Sequence, residues 1–291
     1  MLFGLDKNLE TLKDLAKADS LPHGFIFYGP QMVGKFTAAK ALASYFEKKD
    51  WDFEGVLEDA HIIQPDEEGT IGIDAVREIK TFVYQKPNFS KYRTLILDEA
   101  ERMTEAAENA LLKVAEEPPE SSLIILIVRE PELLSATLRS RFQKIYFGEW
   151  NESDLEEYLK KDKKYPAVEA KKLAKLSGGK VGLAILLKTD EEFKKRMTVA
   201  LKYLESTPQA RSELIKKLQE DETWNIERFL DDLALAYVVK NMPPGYSLSL
   251  SKGVVEGYHA LMETRQNFGY YNLSPKIQME ALSQKLELII P

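Results

Sequence analysis

The sequence contains no cysteine. Disulfides, thiol nucleophiles, iron–sulfur clusters and cysteine-ligated zinc are therefore excluded. Only three histidines are present, His23, His61 and His259, too far apart in sequence for a metal-binding spacing. No apolar run reaches the ~18 residues of a transmembrane helix. The N-terminal residues show no signal-peptide h-region, so the expectation is a cytoplasmic protein. A basic excess is also missing: Lys+Arg 40 against Asp+Glu 47 gives a net charge of −7. Phosphate neutralisation needs a basic footprint, so a chain this acidic is a poor candidate for binding nucleic acid alone. There is no internal repeat and no low-complexity segment.

What is present is globular. The 291 residues are 44% hydrophobic and 30% charged, enough for about two domains at roughly 150 residues each. The first half alternates short apolar runs with helical periodicity. Gly24 to Tyr28, His61 to Ile63, Thr94 to Leu97, Leu123 to Val128 and Ile145 to Phe147 read as strands. Helices are predicted between them, one from about Thr104 to Glu117 and stopped by Pro118-Pro119. Apolar strands separated by helices indicate an α/β fold with a parallel sheet buried on both faces. After about Gly148 the strands stop and the pattern is helical, with breaks near Lys161 to Pro166, at Gly178-Gly179, at Pro243-Pro244 and at Ser274-Pro275. Residues 151–200 hold 12 basic and 9 acidic residues. The paired lysines there read as solvated helix faces, and Trp51, Trp150 and Trp224 as packing residues.

One segment carries phosphate-binding chemistry. Gly29-Pro30-Gln31-Met32-Val33-Gly34-Lys35-Phe36 follows a strand and opens a helix, the context of a P-loop. Glycines let backbone N–H groups turn inward, the helix N-terminus adds its dipole, and the lysine reaches the outer phosphates. Phe36 stands where a Ser or Thr hydroxyl would ligate Mg²⁺. Thr37 does not simply replace it, because one residue along a helix turns the side chain by roughly 100°. Asp98-Glu99 ends the strand Thr94 to Leu97, where Asp98 would hold Mg²⁺ and Glu99 would polarise a water. A helix N-cap with a first-turn acid is the other reading of that pair. The degenerate nucleotide site read from the sequence is thus Gly29, Gly34, Lys35, Thr37, Asp98 and Glu99, with no metal site assigned.

Further motifs accompany these: Leu97-Asp98-Glu99-Ala100, Asn109-Ala110-Leu111-Leu112-Lys113, Glu116-Glu117-Pro118-Pro119 and Leu138-Arg139-Ser140-Arg141-Phe142. Together they resemble the AAA+ clamp-loader subunits of bacterial DNA polymerase III. The stretch Asn272 to Leu286 is similar to the last helix region of those subunits, so the resemblance covers essentially the whole chain. It implies an AAA+ domain over 1–149, a small helical lid over 150–189 and a helical oligomerisation collar over 190–291. The implied partners are the gamma/tau and delta subunits, the sliding clamp and, through the complex, primer-template DNA; no membrane is involved.

Departures from the family pattern bear on the role. Phe36 removes the P-loop hydroxyl. Val128-Arg129 occupies the sensor-1 position, where the family has Thr-Thr. Gly182 stands at the sensor-2 arginine position. The family's four-cysteine zinc module is absent, and Lys48 to Glu58 bridges the gap. Ser140-Arg141-Phe142 nevertheless keeps the arginine that, in the family, acts in trans on a neighbour's ATP. Losing parts of its own site while keeping the trans part matches the delta-prime subunit, a stator of the loader. The expectation is a chain without intrinsic ATPase activity, needing no cofactor and no zinc, with weak ATP or ADP binding or an anion at the P-loop. The alternatives are a gamma-like subunit that hydrolyses ATP itself, an AAA+ motor outside replication, and Arg141 as an ordinary surface residue.

Overall fold

The computed structural model describes residues 6–17, 21–66, 68–221, 224–241, 252–270 and 274–289. The Pro243-Pro244 break and the start of the tail stretch at Asn272 lie outside them. The chain divides into two compact units, Met1–Trp150 with Lys161–Lys164, and Asn151–Lys160 with Tyr165–Pro291. Both the 150–189 and the 190–291 segments fall almost wholly in the second unit.

In chain order the first unit holds α1 (Asp6–Lys17), β1 (Gly24–Tyr28), α2 (Lys35–Lys48), β2 (Ala60–Ile63), α3 (Ile73–Val83), β3 (Arg93–Leu97), α4 (Glu105–Glu116), β4 (Ser122–Val128), α5 (Ala136–Arg139) and β5 (Gln143–Tyr146). The strands form one sheet in the order β2-β3-β4-β1-β5, and every pairing is parallel. All seven residues of β4 are buried, which is why it reads as a continuous apolar run. Successive side chains go to opposite faces. Leu95, Leu97, Ile124 and Leu126 meet α3 and α4 through Val76, Ile79, Leu111 and Val114. Phe25, Phe27, Ile96 and Ile125 are fully buried on the other side, where α2 packs on β3 and β4. Thr104 caps α4 by accepting from the Ala107 N–H at 3.2 Å.

A buried ionic knot closes the N-terminal edge of this sheet. Asp59, just before β2, accepts from the N–H groups of Asn88, Phe89 and Ser90 at 2.8, 2.6 and 2.7 Å. Its carboxylate also pairs with Arg93 at 3.0 Å. The two residues are 1% and 6% exposed, so neither charge is answered by water. Arg93 in turn donates to the carbonyls of Glu58 and Lys86. Glu47, at the end of α2, accepts from the N–H groups of Glu58 and Asp59. Residues 48–59 are thus tied to the end of α2 through Glu47 and to β3 through Arg93.

The second unit is all-helical: α6 (Glu152–Lys161), α7 (Ala167–Ser177), α8 (Val181–Thr189), α9 (Glu191–Glu205), α10 (Pro208–Gln219), α11 (Ile226–Asn241), α12 (Lys252–Tyr270) and α13 (Pro275–Ile289). Asp190 caps α9 by accepting from the Phe193 N–H at 2.9 Å. Pro208 opens α10, where its missing N–H is not needed. The buried Arg211 of α10 donates to the carbonyls of Tyr203 and Leu204 in the last turn of α9 and of Ser283 in α13. A cation at a helix C-terminus meets its unpaired carbonyls and its dipole. Burial pushes the Tyr203 hydroxyl up to about 12, and it stays a donor, bonding the Met279 carbonyl at 3.2 Å. Gly257 lets α12 approach α11 closely; a Cβ there would lie 2.1 Å from the Tyr237 hydroxyl oxygen.

The Asp59 knot yields a stability prediction. Burial pushes its carboxyl pKa up, but the three N–H donors and Arg93 outweigh it and hold the group below its usual range. Its stabilisation is therefore present above the unfolded pKa near 3.9 and is lost as pH falls through the lower folded value. Asp59→Ala is expected to cost about 3–5 kcal/mol in urea unfolding at pH 7, because it strands the Arg93 charge. Asp59→Asn should cost less and should flatten the acid limb of the stability–pH curve below about pH 4. Equal acid sensitivity in wild type and Asp59→Asn would show that another carboxylate governs acid unfolding.

Candidate functional site: the P-loop edge and the arginine after α5

In a parallel sheet every strand ends on the same edge, and ligand sites form outside those carboxyl ends. The P-loop leaves that edge after β1. Its backbone turns inward through positive φ at Gly29 (131°), Met32 (63°) and Gly34 (102°). Gly29 is obligatory by space as well as by φ: a Cβ would fall 2.0 Å from the Phe147 carbonyl oxygen. The Gly29 N–H donates to the Arg129 carbonyl at 3.0 Å, tying the loop to the end of β4. Trp150 is buried and donates from Nε1 to the Val33 carbonyl at 3.4 Å, so one of the three tryptophans supports the loop itself.

Lys35 is 7% exposed. Its ammonium donates to the carbonyl oxygens of Gly29 and Pro30, the latter at 2.6 Å. Burial pushes its pKa down to about 8; Glu101 and Asp98 pull it back up, and Arg129 adds to the lowering. Asp98 sits at the end of β3, where Oδ1 accepts from the Glu99 N–H at 3.1 Å and Oδ2 from Gln64 Nε2 at 3.3 Å. Glu99 adopts a left-handed backbone conformation, φ 50°, and its carboxylate is paired with Arg102. Thr37 is exposed on the first turn of α2. The structure thus groups Gly29, Gly34, Lys35 and Asp98 at one edge, engages Glu99 with Arg102, and leaves Thr37 in solvent.

Glu101, which sequence reasoning did not single out, and Arg129, noted there only for its place after β4, complete the edge. Glu101 lies in a single 3-10 turn, Ala100–Arg102, and its side chain is 13% exposed. Its Oε1 is 3.6 Å from Arg129 Nε. Its Oε2 makes no hydrogen bond among the described residues, and burial pushes its pKa up. Arg129 also meets the P-loop. With the Gln31 amide oriented to satisfy both groups, its oxygen accepts from Arg129 Nη2 at 2.6 Å and Nε at 3.1 Å. A guanidinium on the residue that follows β4 therefore bridges the P-loop and the acidic turn. An acid three residues past Asp98 was the only available signal for Glu101. Nothing in the sequence pairs Gln31 with Arg129.

Arg141 belongs to a separate set. α5 is a one-turn helix capped by Ser135, which accepts from the Leu138 N–H at 3.3 Å. The Ser135 N–H donates to Glu108 of α4 at 2.7 Å. Phe142 is buried against His23, with ring centroids 5.7 Å apart, and anchors the backbone on the far side of Arg141. Arg141 donates from Nη1 to the Thr137 carbonyl at 2.8 Å and from Nη2 to Glu116 Oε1 at 2.7 Å. Neither partner is a P-loop residue.

A family model described as DNA polymerase III, delta subunit, matches residues 4–151. The gamma/tau subunit of DNA polymerase III from Mycobacterium tuberculosis is 35% identical over 138 residues, 43% of this chain and 24% of that protein. The delta' subunit from Escherichia coli is 31% identical over 155 residues, 53% of this chain and 46% of that protein. The matched stretch thus spans about a quarter to a half of these relatives' lengths. A gamma subunit-related protein from Thermotoga maritima superposes with a TM-score of 0.60 over 97% of this chain and 99% of that one, at 22% identity, a likeness of fold alone. No described helix is long and apolar enough to cross a membrane. The P-loop edge, the motif set and the matched family model agree, and the chain belongs to the DNA polymerase III delta-subunit family as an AAA+ subunit of the clamp-loader type.

Proposed function

We propose that this chain is a delta-prime-like stator of a DNA polymerase III clamp loader: it does not turn over ATP itself and supplies Arg141 to the ATP site of a neighbouring subunit. The observation that carries the reading is Arg129. In place of a neutral sensor hydroxyl, a guanidinium lies against Gln31 of the P-loop and Glu101 of the acidic turn. Those contacts engage groups that a nucleotide and its Mg²⁺ would need, in a loop that already has Phe36 for the metal-binding hydroxyl. In this reading the 190–291 helices form the collar that joins neighbouring subunits. The clamp and primer-template DNA are reached through the assembled complex. A gamma-like ATPase is the second reading, favoured by the retained Lys35 and Asp98 and by the gamma/tau relatives.

Purified chain given ATP and Mg²⁺ should show no phosphate release above background, and Lys35→Ala should change nothing. Steady hydrolysis that Lys35→Ala abolishes would promote the gamma-like reading.

In a complex reconstituted with its partner subunits, Arg141→Ala should lower DNA-stimulated ATPase and clamp-loading rates. Arginine fingers are worth on the order of 10³–10⁵ in rate at the one site they serve; the loss for a multi-site complex is smaller. Arg141→Lys should not restore the rate, because an ammonium lacks the planar fork. The melting of the isolated chain should move by no more than about 1 kcal/mol, since the Arg141 pair is partly exposed. Unchanged ATPase and loading in Arg141→Ala would remove the trans role.

A further inference from the structure

Glu116 is the last residue of α4, and Glu117 and Pro118-Pro119 follow it. The final turn of a helix presents unpaired carbonyls and the negative end of its dipole. A carboxylate is locally unfavourable there, and an exposed acid at that position gives α4 nothing. Its observed partner is Arg141, through Oε1 and Nη2 at 2.7 Å. The second bond of the same guanidinium goes to the Thr137 carbonyl of α5 at 2.8 Å. The two acceptors sit on different elements and hold different nitrogens. Because a guanidinium is rigid and planar, two such bonds fix its plane as well as its position.

We infer that Glu116 is a positioning residue for Arg141, holding the guanidinium ready for an anionic group on a neighbouring molecule. This rests on the trans reading of Arg141 given above. The group remains available, because guanidinium has five N–H donors and these two bonds use two. The arginine side chain is 28% exposed, so its own chain covers it only in part. An arginine already ordered on its own chain loses less rotamer freedom on docking than a free one. The frame is itself fixed: Glu108 holds the start of α5, and Phe142 is buried immediately after Arg141.

The test uses the reconstituted clamp-loader complex, with ATP, Mg²⁺ and primed DNA, and four forms of this chain: Glu116→Ala, Glu116→Gln, Arg141→Ala and the double variant. Glu116→Ala should lower kcat for ATP hydrolysis about tenfold or less, with KM nearly unchanged, the signature of an interaction that matters in the transition state. Glu116→Gln keeps an oxygen acceptor and should recover most of the rate. The double variant should be no slower than Arg141→Ala alone, because both changes remove one arrangement. Melting curves of each chain establish that it is folded. If Arg141→Ala leaves the rate unchanged, the trans reading fails and this inference with it. If Arg141→Ala slows the complex while Glu116→Ala does not, or the two losses multiply independently, the trans reading stands and the positioning role is overturned. A faster complex with Glu116→Ala would also overturn it, by showing that the pair restrains the arginine.

Discussion

Burial of β4 on both faces and both edges is the constraint from which the rest of the first unit follows. Its seven residues carry no side chain larger in polarity than Ser122, and neighbours β1 and β3 take up its backbone groups. A strand so placed cannot shift register without exposing a full apolar face. The ends of its neighbours are therefore fixed as well. Beyond β1 the chain must turn tightly under Phe147, which is where Gly29 stands. Beyond β3 lies Asp98, and beyond β4 itself lies Arg129. The P-loop lysine, the acidic turn and the arginine are brought together by strand length and parallel direction, before any attraction among their charges acts.

Electrostatics then decides what that edge does. Lys35 and Arg129 bring two positive charges, Asp98 and Glu101 two negative ones. Desolvation is the largest effect on both Lys35 and Glu101, and it pushes each toward its neutral form. The Arg129 side chain is 46% exposed, so water still screens it. The long 3.6 Å approach to Glu101 and the tighter bonds to Gln31 fit a guanidinium that bridges loop and turn without a strong buried pair. A threonine at the same place could orient a water or touch a phosphate; an arginine fills the space with its own charge. In the proposed stator reading, that difference separates a P-loop fold from P-loop chemistry.

Much of this was legible in the sequence, for reasons that can be assigned residue by residue. β1 was read at its observed bounds, because five apolar residues end in a glycine that the turn requires. β3 was read one residue short: Arg93 looks like a loop residue until Asp59, 34 positions earlier, is seen to neutralise it. β5 was placed two residues late because Gln143 and Lys144 are exposed on an edge strand and carry no apolar signal. α5 is four residues long, too short to display a helical period. The P-loop glycines, Lys35 and Asp98 were legible because motif chemistry is local. Glu101, Gln31 and the partners of Arg141 were not, because each depends on which strand ends lie side by side.

The knot at the opposite edge closes a long connection through carboxylates. Glu47 holds the end of the bridging segment from α2, Asp59 holds the approach to β3, and Arg93 joins the two through Glu58. Five backbone N–H groups that the loop would otherwise leave for water are accepted by these two carboxylates. A zinc cross-link works by restricting the unfolded chain and by direct ligation. Carboxylates restrict nothing in the unfolded chain; they act only once the strands have placed their donors. The closure is therefore cooperative with the sheet, and it draws its strength from the same parallel register that builds the P-loop edge.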